Sequence, residues 1–213
     1  MHVDIEGATR IARLAAEFDW TWAGDDLEPF CAQAGWELVE LRHAGGSIRT
    51  NFHVSRPTAN MFGRQHRMDS ISILVTDVAD DATPMTVVRP LLVEGFTNLD
   101  VALTALLGTA TSAEPEATIR WDLPKAVITL NLGVSAIHLH LKSPGYQAWA
   151  DEPEPEYEDE DERSRSSPDQ LQSNFVARKN ISAERSKSVR LVASHCGWNG
   201  SMPSTASEQS NSS

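Results

Sequence analysis

Apolar residues recur first at helical spacing. Ala8, Ile11, Ala12, Ala15 and Phe18, with Leu14 beside them, predict an amphipathic helix over about residues 7 to 18. Leu27, Phe30, Cys31 and Ala34 fall at i, i+3, i+4 and i+7 and predict a second. Pro29 fixes its start. With Asp26 as N-cap, Pro29 is the third helical residue, and its missing N–H would have been an orphan anyway. With Asp25 as cap, Glu28 completes a capping box, but Pro29 then removes a helical bond. Asp26 is therefore the expected cap, and Gly35 the left-handed stop.

The period then changes to two. Trp36 to His43 predicts a strand, and Gly45-Gly46 a hairpin turn. In SIRTNFHV, Ile48, Thr50, Phe52 and Val54 point one way, and Arg49, Asn51 and His53 the other, until Pro57 ends the run. MFGRQHRM reads as a loop, and SISILVTDV as a third strand with Ile71, Ile73 and Val75 on one face. DVADDATP turns into a helix from about Pro84 to Leu107, with Thr83 as N-cap and Pro84 at the first helical position. Val88, Leu91, Leu92, Leu99, Leu103 and Leu106 can face the core. Pro90 and Gly95 predict a bend or break. TIRWDLP, AVITLNL and SAIHLHL supply strands four to six. Tyr146, Trp149 and Ala150 suggest a short last helix lying back on the sheet. Short turns between strands imply an antiparallel sheet. The expected fold is α+β in two layers, an antiparallel sheet of about six strands with helices on one face. No internal repeat is visible.

Composition sets where this domain stops. Residues 151 to 162, DEPEPEYEDEDE, hold nine carboxylates and no base. Such a run repels itself and buries nothing. Of the 21 serines, 14 lie between Ser164 and Ser213. The expectation is a folded domain over residues 1 to 150 and an acidic, then serine-rich, disordered tail over 151 to 213. The acidic run is a lure for a basic partner or, more commonly, a solvated linker.

The formal net charge of −12 in 213 residues argues against nucleic acid, which needs a basic surface. It suits a basic protein partner. Cys31 reads as a buried apolar residue, and Cys196 is too distant to suggest a disulfide framework. The first 20 residues lack the basic start and unbroken apolar core of a signal peptide. No segment approaches the roughly 20 apolar residues of a membrane span. A cytoplasmic protein without a membrane partner is the expectation.

Several residues could carry a site. Trp20 and Trp22 share one face in extended chain, as an anchor for a partner or, more often, as cover for the core between two helices. Arg49, Asn51 and His53, with Arg56 beyond, could line a polar groove on the uncovered side of the sheet, or simply wet it. His138 and His140 point the same way from one strand, but zinc needs a third and usually a fourth ligand. Asp77, Asp80 and Asp81 lack the spacing and closing glutamate of an EF-hand, and turn or cap chemistry explains them. There is no HExxH, GxSxG, P-loop or dinucleotide fingerprint. No catalytic residue, cofactor or metal is assigned.

The landmarks W-T-W…D-D-L…F…A-G-W-E-L (20–38), S-R-P-x-A-N (55–60), V-T-D-V-A-D-D-A-T-P (75–84) and S-P-G-Y-Q-A-W (143–149) resemble an actinobacterial family of uncharacterised proteins. The resemblance covers nearly all of the folded part and none of the tail. It implies no known chemistry, though related genes resemble those beside type VII secretion and polymorphic-toxin loci. The element order is similar to that of type III secretion chaperones, which bind protein, often as dimers, without catalysis. That likeness is one of fold alone. The expected function is a non-enzymatic protein-binding module, chaperone-like or immunity-like, with Trp20, Trp22, Arg49, Asn51, His53 and Arg56 as contact residues. A second copy could cover the open sheet face. The alternative is a small metal-dependent hydrolase using His53, His138 or His140.

Overall fold

The structure is a computed structural model and describes residues 1–64, 66–80, 82–114 and 117–153. The tail expected over 151 to 213 thus lies, from residue 154 on, outside the described residues.

Helix α1 spans Ile5–Glu17. Buried Asp4 caps it, its Oδ1 accepting the Gly7 N–H at 2.8 Å. A 3-10 turn, Gly24–Asp26, runs into α2, Leu27–Ala34. Gly35 ends α2 in the left-handed conformation at φ 69°, where a side chain would be strained. Asp26 stands in the cap position, yet its carboxylate does not cap α2. It turns back instead. Oδ2 accepts the N–H groups of Thr21 and Trp22, each at 2.7 Å. Those bonds hold Trp22 at φ 59°, a conformation a bulky residue adopts only where its surroundings demand it.

Strands β1 (Glu37–Arg42), β2 (Gly45–Arg49), β3 (Thr58–Arg64) and β4 (Arg67–Leu74) follow. Then come α3 (Met85–Leu107), β5 (Ser112–Glu114), β6 (Thr118–Asp122), β7 (Val127–Leu132), β8 (Ile137–Lys142) and α4 (Pro144–Ala150). The fold is α+β, and every strand pairing is antiparallel. Among the described residues the sheet has eight strands rather than about six. The segment MFGRQHRM, expected as a loop, is the end of one strand and the start of the next, so β3 was missed. The short β5 was missed as well.

The strand order β1-β2-β3-β4-β8-β7-β6-β5 is symmetric about its centre. Each half is a helical segment followed by a four-stranded meander, and the two last strands pair in the middle. The repeat absent from the residues is present in the topology.

One face of the sheet is apolar. Ile71, Leu141, Ile128 and Trp121 stand in register across β4, β8, β7 and β6, all buried. Ile73, Leu139, Leu130 and Ile119 form the next row. Helix α3 lies against this face. A Cβ on Gly95 would sit 2.7 Å from Val3 Cγ2 and 3.4 Å from Ile137 Cδ1, so only glycine permits the approach.

Four further expectations are corrected here. Helix α3 runs unbroken through Pro90 and Gly95, because Pro90 lies in its second turn and forfeits a single bond. Its cap position is Pro84, while the Thr83 N–H closes a turn onto the Asp80 carbonyl at 2.9 Å. By length and composition its 23 residues could cross a membrane, contrary to the reading that no segment could. Its Val88, Leu92, Phe96, Leu99 and Leu103 are nevertheless buried in the core. Last, the helices do not all reach one face, since α4 bonds to side chains of the polar face.

Candidate functional site

The polar face of the second half-sheet gathers the chemistry. Ser72, His140, Thr129 and Arg120 stand in register across β4, β8, β7 and β6. His138 and Lys142 flank His140 on the same face of β8, as period two requires. The two imidazoles stack with centroids 5.9 Å apart. Helix α4 closes one end. Ser143 caps it, accepting the Tyr146 N–H at 2.9 Å. Lys142 Nζ donates to Gln147 Oε1 at 3.0 Å. Arg120 Nη1 donates to Asp151 Oδ2 at 2.7 Å, and its Nε to Asp122 Oδ1 at 2.6 Å.

Electrostatics follow from this half-covered setting. Burial first, then coupling to the neighbouring His138 and Lys142, pushes the His140 pKa down to about 3. Burial lowers His138 too. Both imidazoles are therefore neutral at pH 7. Burial and the Arg120 charge lower Lys142, opposed by Asp151. Asp151 falls below its ordinary value despite burial, because Arg120 and Gln147 bond to it. Thr129 Oγ1 is buried and has no hydrogen-bond partner among the described residues. A buried hydroxyl without a partner is costly enough to need explaining.

The residues expected as a site are not brought together. Trp20 and Trp22 lie in the core, at 8% and 7% exposure, so neither offers a partner surface. They stack at 4.5 Å, and their indole N–H groups donate to the carbonyls of Ala15 and Lys125, both at 2.8 Å. The strand carrying Arg49 ends at Arg49. Arg49 itself is exposed and donates to Glu37 at 2.6 Å. Asn51 is a tie: its Oδ1 accepts from Arg10 and Trp36, and its Nδ2 donates to the Ala34 carbonyl. His53 and Arg56 sit exposed on the loop before β3. That loop is anchored by carboxylates, with Asp4 accepting the His53 N–H and Asp77 the Ser55 N–H, each at 2.8 Å. Asp77 also takes the His2 N–H, and these bonds hold its pKa down. Its oxygens are thus committed to the backbone rather than to a cation. Cys31 is buried, and burial raises its thiol to about 11, far from the reactive range.

Sequence reasoning missed Lys142, Thr129, Arg120, Gln147 and Asp151. The alternation that paired His138 with His140 continues one step to Lys142, so that signal was present. The cross-strand neighbours needed the register.

The match to a known family falls on this domain. A model for a family of unknown function fits residues 6–143. The chain belongs to the DUF6301 family. The matched span of this DUF6301 domain runs from α1 through β8 and stops at Ser143, the cap of α4. No curated protein and no solved structure matches the chain.

Proposed function

We propose that this DUF6301 protein is a non-enzymatic protein-binding module that acts as a secretion chaperone or toxin-immunity protein does. The observation that supports it is β1. It is the outer strand of the first half-sheet, and its Val39 and Leu41 are 53% and 56% exposed. An edge strand of this kind can accept an extended segment of another chain as a ninth strand. A register shift between Leu38 and Glu40, and the charges of Glu37, Glu40 and Arg42, guard the edge against indiscriminate pairing. The net charge of −12 favours a basic partner, through faster encounter more than tighter contact. The reading takes a cytoplasmic setting and involves neither nucleic acid nor membrane.

Nothing specific favours a metal-dependent hydrolase. Among the described residues no group of three or more His, Cys, Asp and Glu is placed to hold a metal. His53 stands on a different segment from the histidines of β8.

The test is affinity capture from the native host with the full chain as bait, beside a Val39→Lys/Leu41→Lys variant. One stoichiometric partner, lost from the variant while its circular dichroism is unchanged, is the expected result. Equal capture by both chains would remove β1 as the contact, and no partner for either would remove the binding reading itself.

A further inference from the structure

Helix α3 is covered on one side. Val88, Leu92, Gly95, Phe96, Leu99 and Leu103 are buried. The other side meets water. Ten of the 23 residues are exposed, and of these only Glu94 is charged. Helix α1 shows how this domain builds a wetted helix face: its exposed residues, Glu6, Arg10, Arg13 and Glu17, are all charged. On α3, by contrast, Val87, Leu91 and Val101 are 53%, 43% and 66% exposed. An apolar stripe along a surface helix ordinarily faces another element.

The stripe has a period. Val87, Leu91, Glu94, Asn98, Val101 and Ala105 fall at i, i+4, i+7, i+11, i+14 and i+18, the spacing of a coiled-coil seam. It is apolar at both ends and polar in the middle. That order points to its occupant. A two-fold axis level with Phe96 sets the seam against itself in antiparallel sense. Val87 then meets Ala105 of a second copy, Leu91 meets Val101, and Glu94 meets Asn98. The Glu94 carboxylate can accept from that Asn98 amide, twice by symmetry. A parallel pair would instead set Glu94 against its own copy, like charge on like. A lipid surface fits less well, because no base stands among the exposed residues of α3 to meet anionic headgroups.

We propose that the exposed seam of α3 is the interface of a homodimer, in which two α3 helices pack antiparallel with Glu94 of each copy on Asn98 of the other. The inference does not rest on the partner-binding reading, which uses β1. The seam from Val87 to Ala105 is about 27 Å long. One helix pair of that length is a small interface, so the dimer dissociates on dilution.

The test is sedimentation velocity of the full chain over a dilution series. The expected result is a weight-average mass that rises with concentration towards twice that of the chain. Asn98→Asp faces Glu94 with a second carboxylate and should shift the series to monomer. Adding Glu94→Gln should restore the dimer, because an amide again faces a carboxylate. Both positions are exposed, and circular dichroism checks that the helix is intact. Chains carrying Leu91→Cys mixed with chains carrying Val101→Cys, each in a Cys196→Ser background, should form a disulfide that neither forms alone. Cys31 is buried and does not compete. Val39→Lys/Leu41→Lys should dimerise as the wild type does, and loss there would move the interface to β1. A monomer throughout the series would overturn the proposal. So would a dimer that Asn98→Asp leaves intact, or a disulfide between two Leu91→Cys chains, which requires a parallel pair. A monomer that sediments with phosphatidylglycerol vesicles would give the face to a membrane instead.

Discussion

In the first half of the sheet the apolar side is filled by rings, and the polar side lies open to water. Phe18, Trp20, Trp22, Phe30, Trp36 and Phe52 form a continuous chain of ring contacts with centroids 4.5 to 6.2 Å apart. In the second half the apolar side is mainly aliphatic, with Leu92, Leu99, Leu103, Ile128, Leu130, Leu139 and Leu141 all fully buried. Its polar side is half covered and carries the shifted histidines. Two copies of one meander plan thus divide the work. The first must fill the space around two short helical segments and a strained turn, which large rigid rings do with few residues. The second packs on one long helix, whose regular ridges suit branched aliphatic chains.

The sharpest way to break that comparison is to hollow out each half. Trp20→Ala removes a stacked, buried ring together with a hydrogen bond to the Ala15 carbonyl, one of the groups left unpaired at the end of α1. The expected cost is about 3–5 kcal/mol. Leu130→Ala in the second half should cost about 2–5 kcal/mol. Urea unfolding midpoints measure both. If Trp20→Ala shifts the midpoint no more than a surface substitution does, the aromatic chain is not what holds the first half together.

Much of this division was legible. The helical period marked α1, α2 and α3, and strand alternation placed β1, β4 and β6 to β8; β2 was placed only in part, since Gly45 and Gly46 open the strand rather than turn it and the run expected to reach Val54 ends at Arg49. Gly35 was read correctly because a left-handed stop has a local cause. What could not be read was non-local. Asp26 looked like a cap by position, but its carboxylate is satisfied by Thr21 and Trp22 upstream, in a turn whose shape depends on the Trp22 carbonyl accepting from Met68. Asn51 sat in an alternating run, yet its partners lie on α1 and around α2. Strand β3 was hidden because Thr58–Arg64 follows Pro57 and mixes Asn60 and Gly63 with few β-branched residues. The site suffered most. Thr129 and Arg120 join His140 only through strand register, which no single segment encodes.

A smaller effect separates the two polar faces. His140 has a folded pKa of about 3 against an ordinary value of 6.5. Between those values the unfolded chain binds the extra proton, so stability is fully present above pH 6.5 and falls as pH drops towards 3. From pH 6.5 to pH 5 the loss is about 2 kcal/mol. His140→Gln should flatten that slope, as read from unfolding midpoints at pH 7 and pH 5. Equal slopes for wild type and His140→Gln would show that the second polar face is as wet as the first.

The smallest contrast lies between two arginines on corresponding sides of the sheet. Arg49 meets Glu37 with both side chains more than 60% exposed. A pair in that setting gains little, because water screens it and two long side chains must be ordered. Its coupling in a double-mutant cycle should be about 0–0.5 kcal/mol. Arg120 is 23% exposed and bonds two carboxylates, one on its own strand and one beyond α4. Its charged hydrogen bonds, less screened, should couple to Asp151 by about 1–2 kcal/mol. The geometry differs as much as the exposure does. Arg49 and Glu37 are cross-strand neighbours already fixed by the β1–β2 ladder, so their ion pair positions nothing. Arg120 ties the end of α4 to β6, next to the outer strand β5, and losing it frees the last turn. Arg120→Ala should therefore raise amide exchange in residues 147–151, an effect Arg49→Ala should not have anywhere in β1. Equal exchange for the two variants would mean that α4 holds its place, and covers the second polar face, without the ion pair.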